Sequence, residues 1–65
     1  GVGPEEVVII EDSVPGTDAA SATGAVVLAV PLLGRPGAAP RRVLREGGLT
    51  GLDLAGLEKI WRNQW

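Results

Sequence analysis

Val7-Val8-Ile9-Ile10-Glu11-Asp12-Ser13-Val14-Pro15-Gly16 is the stretch that decides the fold of this chain. A β-branched run ends abruptly in two adjacent carboxylates and a hydroxyl. Such runs suit strands buried on both faces, the habit of parallel sheets. Pro15 fits the first turn of a following helix, where its missing N–H costs nothing, and Ser13 or Val14 caps that helix. Ala19, Ala20 and Ala22 let the short helix over 17–23 lie close against a sheet, and Gly24 stops it. Ala25 to Val30 is a second buried run, closed by Pro31. Residues 7–30 therefore read as one βαβ unit, with a crossover that the general rule makes right-handed. In open α/β sheets, ligands bind beyond the carboxyl ends of the strands. Glu11 and Asp12 stand at that place and form a candidate cation site.

Residues 1–4 read as a turn or loop end. Leu32 to Pro40 is rich in Gly and Pro and reads as a loop. Arg41 to Glu46 is expected to form a helical turn, stopped by Gly47-Gly48, and Leu49 to Leu52 a short edge strand. Asp53 is a plausible N-cap for a helix on which Leu54, Leu57, Ile60 and Trp61 share one face. Two or three such strands with one crossover helix cannot cover both faces of a sheet. The expected fold class is α/β: a fragment of a doubly wound, Rossmann-like parallel sheet, made of one βαβ unit plus a C-terminal helix. A chain without methionine that opens in mid-pattern fits a fragment or a processed product, and the topology favours the fragment. Taken alone it is expected to fold poorly or to self-associate, because unpaired apolar strands seek partners.

Composition narrows the chemistry. The chain has 65 residues, six basic and eight acidic, with a formal net charge of -2. A chain of this length buries only about 60% of its unfolded surface, so its core is marginal. It has no cysteine and no histidine. That excludes disulfides, thiolate chemistry and histidine-based triads or zinc sites within these residues. The missing cysteines fit a reducing compartment, and a cytoplasmic location is the expectation. No basic patch is large enough to hold a nucleic-acid backbone, and the two tryptophans sit too near the C-terminus to form a base-stacking platform. No apolar run is long enough to span a bilayer. What remains is carboxylate, hydroxyl, arginine and Lys59.

Pro4-Glu5-Glu6-Val7-Val8-Ile9-Ile10-Glu11-Asp12-Ser13-Val14-Pro15-Gly16, with Ala19-Ala20, Ala22 and Gly24 behind it, resembles the fourth sequence motif of haloacid dehalogenase-like (HAD) hydrolases. The nearest pattern is that of the β-phosphoglucomutase-like branch, roughly P-E-x-x-φ-φ-φ-E-D-S-x-x-G-x-x-A-A-x-x-A-G before an apolar strand, with φ apolar. Thr23 stands where that pattern has alanine. The resemblance covers Pro4 to Val30 and fades from Leu32 onward. It implies that residues 1–65 are the C-terminal part of a HAD-like core domain, without the nucleophile-bearing half or the cap domain. It implies a magnesium-dependent phosphatase or phosphomutase acting on small phosphorylated metabolites. Asp12 is then a magnesium ligand, and Glu11 is a second ligand or acts through a bound water. Ser13 and Gly16 support the turn and the helix cap. The nucleophilic aspartate and the lysine belong to segments upstream, and Lys59, far downstream, does not replace the latter. The expected partners are the phosphorylated metabolite and the rest of the parent domain, with neither nucleic acid nor membrane.

Plainer readings stand beside these. Asp12 and Ser13 also suit helix capping, worth about 1 kcal/mol, and Glu11 suits a solvated strand end. Asp18 reads as a first-turn acid favoured by the helix dipole. Arg35, Arg41, Arg42 and Arg45 read as solvated charges rather than a phosphate-binding surface. Trp61 faces a core, and Trp65 is a frayed end. The functional alternative is a non-catalytic regulatory or interaction module on the same core, degenerate HAD-like or receiver-like.

Overall fold

The computed structural model describes residues 3–65. Gly1 and Val2, part of the expected loop end, lie outside the described residues. A short 3-10 turn, Pro4–Glu6, leads into strand β1 (Val8–Glu11). Helix α1 (Val14–Ser21), strand β2 (Val26–Ala29), strand β3 (Arg42–Leu44) and helix α2 (Leu54–Arg62) follow. The result is a small α/β fold with a three-stranded parallel sheet in the order β1-β2-β3. The register runs Ile10 to Leu28 to Val43 across the three strands.

The core is the middle strand. Every residue from Ala25 to Val30 is buried, which is why this run carries no polar residue: both its faces and both its edges are covered. In β1, successive side chains point to opposite faces. The Glu11 carboxylate lies beside Gly16 of α1. Val8 and Ile10 line hollows shared with Leu57 of α2. The two helices therefore flank β1 from opposite sides. The outer edges of β1 and β3 have no strand partner among the described residues.

Helix α1 begins and ends as its sequence dictates. Ser13 is the N-cap, and its Oγ accepts from the Gly16 N–H at 3.0 Å. Thr17 is buried and donates its hydroxyl to the Ser13 carbonyl at 2.7 Å, so burial leaves no polar atom unpaired. At the far end Gly24 adopts φ +87, a left-handed conformation that a Cβ disfavours. Gly24→Ala is expected to lower stability by about 1 kcal/mol, read as a shift of the denaturant midpoint at constant slope.

Two expectations fail after Val30. Arg41 to Glu46 is no helical turn but holds β3, paired in parallel with β2. The Val27 N–H donates to Arg41 O at 2.9 Å, and the Arg45 N–H donates to Ala29 O at 2.8 Å. The reason is Arg42. Its side chain is only 8% exposed. It donates to Ser21 Oγ from Nε (3.0 Å) and NH2 (2.9 Å), to Gly37 O from NH1 (2.6 Å) and to Asp18 Oδ1 from NH2 (3.1 Å). These bonds are made only if the segment is extended beside β2. The edge strand expected at Leu49 to Leu52 is instead a turn, closed by the Leu52 N–H on Leu49 O at 3.0 Å. Gly47, Gly48 and Gly51 all have positive φ there.

Helix α2 is capped by Asp53, whose Oδ1 accepts from the Gly56 N–H at 2.8 Å. Leu57, Ile60 and Trp61 are half-buried on its inner side. Leu54, expected with them, is 81% exposed. Trp61 Nε1 donates to Glu5 O at 2.9 Å, fastening the helix to the entry of β1. Trp65 is not frayed: the Arg41 guanidinium lies 4.7 Å from its ring centroid, a cation–π contact. Among the described residues no helix is long and apolar enough to cross a membrane.

Candidate functional site

The three parallel strands bring their carboxyl ends to one rim. There β1 ends at Glu11, and the chain passes through Asp12 to the Ser13 cap. Two backbone bonds extend the ladder past the strands. The Val30 N–H donates to Glu11 O at 2.8 Å, and the Leu32 N–H donates to Asp12 O at 3.1 Å. The Asp12 backbone is thus held on both sides, by the strand and by the cap. Its side chain is exposed, and among the described residues it has no hydrogen-bond or ion-pair partner. It lines a hollow of about 320 Å³ together with Ser13, Val14, Pro15, Leu32 and Leu33.

Glu11 goes elsewhere. A Cβ built on Gly16 would come within 2.7 Å of Glu11 Cδ and 2.8 Å of Ser13 Oγ, so the carboxylate occupies the space that glycine leaves. The structure therefore joins Glu11 to Gly16 and Asp12 to the hollow. Ser13 is the residue common to both. Glu11 does not line the Asp12 hollow.

Asp18 and four arginines have partners within the fold. Asp18 lies past the first turn of α1 and pairs with Arg42. Arg41 donates from Nε to Gly24 O at 3.1 Å, and Arg45 ties the next turn through Gly48 O (3.0 Å) and Thr50 O (2.8 Å). Arg35 pairs with Glu46. Arg35 and Glu46 are both exposed, so Arg35 is a solvated charge as expected; Arg42, with its side chain only 8% exposed, corrects that reading.

Magnesium is a hard ion that keeps several waters and takes one or two protein carboxylates plus substrate oxygens. Asp12, exposed and unpartnered, suits that demand as a direct ligand. Glu11, turned toward the start of α1, suits it at one remove through water. Among the described residues no group of three or more His, Cys, Asp or Glu side chains gathers at one point. Among the described residues Asp12 is the one carboxylate that lines the hollow, so any further oxygens there would come from water and phosphate. Sequence reasoning missed Leu32 and Leu33. The available signal was a pair of large apolar residues between Pro31 and Gly34, where a loop needs none.

Ser13 makes the capping bond, and its loss has a separable signature. Ser13→Ala is expected to lower stability by about 1 kcal/mol, measured by denaturant unfolding. An unchanged midpoint would show that the cap contributes nothing. No family model matches this chain, and no curated protein or solved structure matches it.

Proposed function

We propose that these residues are the metal-binding corner of a HAD-like, magnesium-dependent phosphoryl-transfer hydrolase. The enzyme is a cytoplasmic phosphatase or phosphomutase of small phosphorylated metabolites. In this reading β1-α1-β2 is a βαβ unit of a larger doubly wound, Rossmann-like sheet. The supporting observation is Asp12: a free carboxylate on a fixed backbone, at the carboxyl end of a parallel strand, opening on a hollow.

Magnesium, when bound, neutralises phosphoryl charge and orients the group for in-line attack. Asp12 would supply the ligand oxygen, and Glu11 would act only through a bound water. Ser13 fixes the start of α1 so that the loop 11–13 keeps its shape, and Gly16 leaves the room that Glu11 fills. The nucleophile and the lysine come from other segments. In the hydrolytic case the ester P–O bond breaks, and the alcohol departs with a proton. Water supplies the hydroxyl that completes inorganic phosphate.

The test is substitution of Asp12 in the full chain containing these residues, with magnesium-dependent phosphate release as the readout. Activity retained with the same magnesium dependence rules the reading out. A full chain that folds but releases no phosphate supports the non-catalytic module instead.

A further inference from the structure

The hollow beside Asp12 is lopsided. Asp12 and Ser13 form its polar side, while Val14, Pro15, Leu32 and Leu33 form an apolar wall. Leu32 and Leu33 are 78% and 86% exposed. The loop that holds them is built rather than loose. Pro31 fixes its entry, and the Leu32 N–H is bonded to Asp12 O at 3.1 Å. At its exit a Cβ on Gly34 would touch Val14 Cγ2 at 3.4 Å, so the backbone lies against the start of α1. A single backbone hydrogen bond thus sets Leu32 beside the acid. The leucines lie outside the described core and line the same hollow as Asp12.

We infer that Leu32 and Leu33 are specificity-determining residues. They select phosphate monoesters whose alcohol portion is apolar, aryl or alkyl, over polyhydroxylated ones. This rests on Asp12 holding the metal-bound phosphoryl end. An apolar group leaving water against two leucines is favoured in proportion to the area covered. Sugar hydroxyls in the same place lose water and find no partner on leucine. The volume, about 320 Å³, suits a small ligand.

The test uses two ligands that cannot be turned over, phenylphosphonate and 2-hydroxyethylphosphonate. Their binding to the full chain is measured by calorimetry in excess magnesium. The phenyl compound is expected to bind about tenfold more tightly, the discrimination a small apolar contact supplies. In the double variant Leu32→Ser/Leu33→Ser the ratio of the two affinities is expected to fall to near one. Both positions are exposed, so the variant should keep its far-UV circular dichroism spectrum. Asp12→Ala is expected to weaken both ligands alike and leave the ratio in place. Equal affinities in the parent protein, or a preference surviving in the double variant, would overturn the role of the leucines while Asp12 keeps its own. Failure of both phosphonates to bind in magnesium would overturn the two readings together.

Discussion

Asp12→Asn in the full chain is expected to cut magnesium-dependent phosphate release about a hundredfold or more. The substitution keeps the shape of the side chain and removes its charge. A metal's share of transition-state stabilisation is several kcal/mol, and each 1.36 kcal/mol is tenfold in rate, so a weakened ligand costs about two decades. The structure makes the experiment clean. The Asp12 carboxylate is exposed and has no hydrogen-bond or ion-pair partner among the described residues, so no internal bond is lost. The helix cap is Ser13 and stays intact. The magnesium concentration for half-maximal rate should rise and the unfolding midpoint should hold. A lower midpoint with unchanged magnesium response would assign Asp12 to stability alone.

Leu28→Ala is expected to have the largest effect on stability, about 3 kcal/mol, within the range for emptying a buried leucine site. Leu28 is 0% exposed and sits in the middle strand, in register with Ile10 on one side and Val43 on the other. Its side chain stands on a face of the sheet, beside those of its register partners. Native domains are stable by only about 5–15 kcal/mol, so the change removes a large share. Denaturant unfolding of the full chain, followed by tryptophan fluorescence, measures it. A shift below about 1 kcal/mol would mean that the site closes up around the smaller residue.

How far the sequence could be read depended on whether each element's cause was local. β1, α1 and β2 announce themselves, because a β-branched run, a serine cap with proline behind it, and an apolar run each carry their own signal. Strand β1 was placed one residue early: Glu11 is its last residue, not the first after it. That offset matters at the site, since alternation along the strand sends Glu11 toward α1 while Asp12 opens on the hollow. β3 was illegible for a different reason. Val43 and Leu44 alone do not make a strand pattern. What holds Arg42 extended is a set of bonds to Asp18 and Ser21, more than twenty positions earlier. No periodicity encodes such a partner. The turn over 47–51 was more accessible, because three glycines in five positions argue against the edge strand expected there. The leucine wall escaped notice because exposure, unlike hydrophobicity, is a property of the folded chain.

All three strands run the same way, and that gives the molecule two unlike ends. At the entry end, Trp61 is fastened to Glu5, Arg41 to Gly24, and Trp65 lies under Arg41. At the exit end stand the unpaired acid and the two bare leucines. The anchoring contacts and the free carboxylate are thus separated by the length of a strand. Residues at the exit pole can vary without loosening the clasp at the other, a freedom that an antiparallel arrangement, interleaving both kinds of residue at each turn, would not grant.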